Sequence, residues 1–183
     1  MKLLGEKLYL RPVALSDVGE RYHRWMNDPE VTKFLEVRFS PQSLNDVRSY
    51  VEKMISKKDE PFFAICVNET HEHIGNIKLG PINPHHKSAD VSLVIGEKSA
   101  WGKGFASEAI GLVTEYAFKK LALNKLKAGC YSENEGSARA FEKCGWQREG
   151  LLRGQAICDG KETDVVLLGI KFSDYKSGIK NNA

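Results

Sequence analysis

Hydrophobic residues along this chain switch between a spacing of two and a spacing of three to four, and the switches divide it into strands and helices. Leu8 to Arg11 has a strand pattern, after which Ser16 or Asp17 opens a helix with Glu20 in its first turn and Tyr22, Trp25 and Met26 at helical spacing. Asp28-Pro29 restarts helix as an N-cap followed by a first-turn proline. Ser40-Pro41 does the same ahead of Leu44, Val47, Val51, Met54 and Ile55. Phe62 to Val67 and His73 to Leu79 are strand-like runs joined by the polar Asn68 to Glu72, a hairpin spacing. After a loop from Gly80 to Lys87, the run Asp90 to Ile95 is a fourth strand.

A glycine-rich turn at Trp101 to Gly104 leads into a helix with Ala109, Leu112, Val113, Tyr116 and Ala117 on one stripe. Glu108 in its first turn and Lys119 and Lys120 in its last suit the helix dipole. Leu126 to Tyr131 is a fifth strand, and Asn134 caps a short helix ending at Gly145, where glycine takes the left-handed position. Trp146 to Ile157 and Lys161 to Ile170 meet at Asp159-Gly160, a strong hairpin signal. The pattern predicts an α/β (α+β) domain: a single mixed, mostly antiparallel sheet of about seven strands with helices on both faces.

At 183 residues one domain suffices. It is expected over residues 1–172, with the polar stretch 173–183 as a disordered C-terminal tail. The net charge of +3 is spread as mixed-sign singlets, which argues against a nucleic-acid partner. No apolar run approaches the about 18 residues of a membrane span, and no signal peptide opens the chain. Cys66, Cys130, Cys144 and Cys158 are widely spaced without a C-x-x-C pair, so they read as small core residues of a cytoplasmic, reducing-compartment protein.

The chemistry concentrates in Trp101-Gly102-Lys103-Gly104-Phe105-Ala106-Ser107-Glu108-Ala109. Glycines there let backbone approach a ligand, and the free N–H groups that begin the following helix suit an anion such as a pyrophosphate. The segment Ser92 to Ala109 resembles the acyl-CoA-binding motif of the GNAT acetyltransferases, with Trp101 in the usual Gln/Arg place, Gly104 at the central glycine and Ala106 at the last small residue. Asn134-Glu135-Gly136-Ser137-Ala138-Arg139-Ala140-Phe141-Glu142-Lys143-Cys144-Gly145-Trp146 resembles a second block of the same family. Leu8-Tyr9-Leu10-Arg11-Pro12 and Trp25-Met26-Asn27-Asp28-Pro29-Glu30-Val31 look like its RimJ/RimL-type branch, so the resemblance spans roughly residues 7 to 171.

The resemblance implies a GNAT fold whose fourth and fifth strands splay apart, and acetyl-CoA as cosubstrate without a metal. Backbone groups of Val94, Ile95 and Gly96 would pair with the pantetheine arm, and the amides of Gly102, Lys103, Gly104, Phe105, Ala106 and Ser107 would hold the diphosphate. Lys103 either adds charge there or is a solvated loop lysine; Asn134 and Lys143 complete the expected cofactor set. A neutral amine would attack the thioester directly, with the Ile95 N–H stabilising the oxyanion.

Relatives differ from this chain in their proton-transfer groups. Gly129 and Ala156 stand where relatives carry glutamates, and Phe141 stands where many carry a tyrosine. Ser137 is then the candidate acid, and Asp90 the candidate base beside Glu36 and Asp164. Trp25, Glu36 and Arg38 belong to the region that lines the acceptor side in this family, although Glu36 and Arg38 could equally pair with each other. His85-His86 read as a solvent-facing loop, and His71 and His73 as exposed residues of a hairpin tip.

The acceptor is expected to be a small-molecule primary amine. The block Glu149 to Gly154 with Asp159 to Glu162 resembles acetyltransferases of nucleotide-linked amino sugars, and a basic rim of Arg38, Lys87 and Arg153 would suit a nucleotide diphosphate. Protein N-termini and polyamines are the alternative acceptors, and a catalytically silent acyl-CoA-binding module is the alternative of another class. A monomer and a homodimer are both compatible with the sequence.

Overall fold

Eight strands form one sheet in the order β1 (Leu3–Leu4), β2 (Leu8–Pro12), β3 (Phe62–Val67), β4 (His73–Asn83), β5 (Ser88–Ile95), β6 (Lys125–Tyr131), β8 (Lys161–Lys171), β7 (Gln147–Cys158). The computed structural model of the chain describes residues 1–175. All neighbours run antiparallel except β5 and β6, which are parallel and paired only through Ser88–Lys125, Ala89–Leu126 and Asp90–Lys127. Beyond Asp90 the two strands diverge, leaving the far half of β5 without a strand partner on that side among the described residues. This is the splay that the resemblance implies, and it opens the middle of the sheet.

Side-chain alternation sorts the two faces. Leu8, Leu10, Phe63 and Ile65 enter one core with Ala109, Ile110, Val113 and Ala117 of α4 (Phe105–Lys119) and Ala138 and Phe141 of α5 (Glu135–Glu142). Tyr9, Ala64 and Cys66, one residue out of phase, enter a second core with α1 (Glu20–Asn27), α2 (Pro29–Thr32) and α3 (Leu44–Ser56). The first strand, β1, lies outside the expected seven because two residues carry no periodicity. The loop expected from Gly80 to Lys87 shortens to residues 84–87, since β4 continues past an irregularity to Asn83 and β5 begins at Ser88.

Two helix starts fall later than their polar residues suggest. Asp17 caps a 3-10 turn at Leu15–Asp17, accepting from the Ala14 N–H and from both terminal nitrogens of Arg11 at 2.7 and 2.6 Å, and α1 starts only after Gly19. Ser40-Pro41 does not open α3. Ser43 does, because it makes a reciprocal capping box with Asp46. The Asp159-Gly160 hairpin forms as expected, with φ of 51° and 76°.

Of the stretch 173–183 expected as a tail, Tyr175 packs its ring on Phe118 at 5.4 Å, and residues 176–183 lie outside the described residues. The four cysteines are free thiols. Cys144 donates to the Ser107 carbonyl at 3.0 Å, and burial pushes its thiol up to about 11, which keeps it unreactive at neutral pH. Among the described residues no helix is long and apolar enough to cross a membrane.

Candidate active site

The unpaired half of β5 separates two cavities that share Leu35, Leu93 and Val94. The first, about 510 Å³, runs between the β5 end, the glycine turn with the start of α4, and the face of α5 bearing Ser137, Ala140 and Lys143. The second, about 370 Å³, lies over the sheet face covered by α1 and α3 and is walled by Tyr22, Tyr50, Phe62, Asn76, Lys78 and Ser92, with Glu36 at its edge. Both volumes suit small-molecule sites.

The first cavity has the features of an anion cradle. Gly104 is the N-cap of α4 with φ 86°, ψ 0°, and no side chain caps that helix. The first helical bond there is from Glu108 N–H to the Gly104 carbonyl, so the earlier amides of the turn have no intrahelical partner. Gly102 is also left-handed, at φ 73°, and a Cβ on either glycine would meet almost nothing within 4 Å. Glycine is used here for its backbone conformation and for the open approach that it leaves to a ligand. The Trp101 indole N–H donates to the Ile95 carbonyl at 2.8 Å and ties the turn to the strand end.

Gly102, Gly104, Phe105, Ala106, Ser107, Asn134, Ser137 and Lys143 therefore border one cavity with Val94 and Ile95. Lys103 does not border it and stands exposed on the turn. Asn134 caps α5 through a bond from the Ser137 N–H at 3.2 Å. Phe141 is buried against Trp146 and borders neither cavity.

The backbone of β5 requires a correction. Gly96 N–H and Glu97 N–H both donate to the Ile74 carbonyl, at 2.9 and 3.0 Å, and the Val94 carbonyl lies against Gly75 of β4, 2.2 Å from where a Cβ would be. Val94 and Gly96 thus spend these backbone groups on β4, not on the gap. Alternation turns the groups of Leu93 and Ile95 toward the splay, as the bond from Trp101 to the Ile95 carbonyl shows. The Ile95 N–H thus turns toward the splay.

Three further expectations fail on position. Asp90 sits where β5 and β6 are still paired, bonded to Lys127 at 3.3 Å, about 17 Å along the strand from Ile95 and outside both cavities. Trp25 is 2% exposed, and its ring fills the space beside Gly96 in the second core, so it supports the strand end without touching an acceptor. Arg38 is committed to the protein: it donates to the Leu35 and Ile157 carbonyls at 2.8 Å and to the Tyr131 hydroxyl at 3.1 Å, and stacks on Phe39 and Tyr131.

Glu36 pairs with Arg38 at 3.8 Å and accepts from the Tyr131 hydroxyl, yet its carboxylate is 79% exposed at the cavity edge. Burial, and then the Glu36 carboxylate, push the Tyr131 phenol above its ordinary value, so it stays a donor. Tyr131 was not among the expected residues, because an aromatic at a strand end reads as core. His73 is also corrected. It is half-buried against Trp25 and Tyr22, bonds Asn76 at 3.0 Å, and burial lowers its pKa so that the neutral ring prevails. His85 and His86 lie exposed on the loop, as expected.

Residues 7–147 match the family model described as the Acetyltransferase (GNAT) domain. The chain belongs to the GNAT acetyltransferases. Among its GNAT relatives, the uncharacterized N-acetyltransferase p20 of Bacillus licheniformis is 32% identical over 175 residues, covering 94% of this chain and 97% of that protein. The spermidine N(1)-acetyltransferase of Vibrio cholerae is 29% identical over 134 residues, covering 73% and 76%. The crystal structure of spermidine N-acetyltransferase from Vibrio cholerae in complex with CoA and spermine superposes with a TM-score of 0.84 at 27% identity, covering 94% of this chain and 99% of that one.

Proposed function

We propose that this chain transfers the acetyl group of acetyl-CoA directly to a primary amine of a small molecule, with the cosubstrate in the larger cavity and the acceptor in the smaller. The observation that carries this reading is the meeting of the two cavities at Leu35, Leu93 and Val94, beside an unpaired strand end. The left-handed glycines and uncapped amides at the start of α4 fit a diphosphate, and Asn134 and Lys143 border the same groove. Bound acetyl-CoA supplies the activated acyl carbonyl. The protein holds both reactants at one junction, a contribution of roughly 7–11 kcal/mol to the barrier, and directs the Ile95 N–H toward the developing negative charge.

Among the described residues Glu36 is the one carboxylate that borders the acceptor cavity, so it is the proposed acceptor of the ammonium proton. Ser137, which borders the cosubstrate side, is the proposed proton donor to the leaving thiolate. Glu36→Gln is expected to lower kcat/KM by about 100-fold, in the range of general-base contributions, with acetyl-CoA affinity unchanged. A wild-type rate would instead assign proton removal to water alone.

A small acceptor is supported by the relatives that act on spermidine. A nucleotide-linked amino sugar loses its main argument, because the expected basic rim does not assemble. Arg38 is bonded within the protein, Lys87 lies before the paired end of β5, and Arg153 stands on exposed β7. Thiol release from acetyl-CoA, measured across polyamines, short amines, amino acids, free-N-terminal peptides and nucleotide-linked amino sugars, tests the proposal. Turnover of a short amine is the expected result. Binding of acetyl-CoA with no turnover on any arm would favour the silent binding module.

A further inference from the structure

The wall of the acceptor cavity formed by β4 and β5 is built of hydrogen-bond donors. Ladder pairing aligns Asn76 with Val94 and Lys78 with Ser92, and the two-residue strand period puts all four side chains on the face that lines this cavity. Asn76 is 2% exposed. Its Oδ1 faces His73 Nε2 at 3.0 Å, while its Nδ2 is buried without a partner among the described residues, a costly arrangement unless a ligand oxygen completes it. Lys78 follows two residues, about 7 Å, further along the β4 backbone.

Lys78 brings an ammonium group to this wall. Lys78 pairs with Glu60 at 3.4 Å, Glu60 also binds Lys57, and Asp59 acts on Lys57 in turn; of these four charged residues Lys78 is the one that borders the cavity. The two lysines hold the Glu60 carboxyl below its ordinary range, so it remains ionised. On the opposite side Glu36 is offset by Arg38, and Tyr22 and Tyr50 are neutral phenols. A polycation entering here would meet the Lys78 ammonium on this wall. An anionic oxygen would meet Lys78 Nζ, the Ser92 hydroxyl and the Asn76 amide.

We propose that the acceptor carries a carboxylate as well as its primary amine, an amino-acid-like zwitterion whose carboxylate is held by Asn76, Lys78 and Ser92 while its amine faces Leu93 and Val94. This rests on assigning the smaller cavity to the acceptor, and it parts from the polyamine chemistry of the spermidine-acetylating relatives. The amine then sits at the junction with the acyl donor, and the apolar body lies on Phe62 and Tyr50.

The test uses a series of free amino acids and ω-amino acids, each beside the amine lacking its carboxylate, with spermidine as the polycation. Binding is followed by titration calorimetry in the presence of CoA, and acetylation by thiol release from acetyl-CoA. At least one carboxylate-bearing amine should bind 10-fold or more tighter than its carboxylate-free counterpart. Lys78→Met should erase that preference and Lys78→Arg should restore much of it, while CoA affinity stays constant. Spermidine binding tighter than every zwitterion, or a preference that survives in Lys78→Met, overturns the assignment. Lys78-dependent zwitterion binding without acetylation would keep this inference and remove the proposed acetyl transfer. Acetylation confined to polyamines would do the reverse.

Discussion

Gly104→Val is expected to reduce acetyl-CoA affinity by 100-fold or more while leaving the protein folded. Gly104 holds φ 86° at the N-cap of α4, a conformation that costs a β-branched residue about 1–3 kcal/mol. The nearest atom to a new Cβ is the Lys7 ammonium at 3.9 Å, so nothing in the core is pushed and the loss falls on the turn. The chain escapes the strain by turning the amides of Gly104 to Ser107 away from the groove. Each tenfold of affinity corresponds to about 1.4 kcal/mol, so local strain accounts for roughly one to two decades and the intruding side chain for the rest. Titration calorimetry with acetyl-CoA measures the loss. Gly111→Ala, in the interior of the same helix with open space around the Cβ, provides the contrast: about 0.5–1 kcal/mol more stability and unchanged affinity. Wild-type affinity in Gly104→Val would remove the cradle.

What was legible in the sequence follows from which forces act locally. Strand alternation, the amphipathic stripe of α4, the Asn134 cap and the Asp159-Gly160 turn are short-range patterns, and these elements form where the sequence puts them, whereas the splay was expected only from the family resemblance. The acceptor side was less legible because it depends on what covers the sheet. In β4 the alternation of Asn76 and Lys78 with Ile77 and Leu79 is the pattern of a strand with one solvated face, but α1 and α3 roof that face and turn it into a cavity wall. Arg38 and Tyr131 are 93 residues apart, and no spacing rule joins them. Asp90 satisfied residue type and element but not depth along the strand, since the point at which β5 and β6 separate is a three-dimensional fact.

Gly96→Ala is expected to destabilise the fold by about 3 kcal/mol and to abolish turnover. The added Cβ would stand 2.1 Å from the Trp25 ring, and that ring cannot retreat because it is wedged between Tyr22 and His73, with centroids at 5.8 and 5.1 Å. For a chain of this size the cost corresponds to a fall in Tm of roughly 6–12 °C. The strand end gives way first, since Gly96 and Glu97 hang on the single Ile74 carbonyl, and a shift there carries Ile95 N–H and the Trp101 tie with it. Trp25→Leu removes the obstructing ring and leaves a cavity, so alone it also destabilises. The double variant Gly96→Ala with Trp25→Leu should then be markedly more stable than the sum of the single losses, by 1 kcal/mol or more, as expected for residues in direct contact. Thermal unfolding of the four proteins in this cycle measures the coupling. Additive losses would mean that Gly96 is required by the backbone of the strand end and not by the tryptophan that packs beneath it.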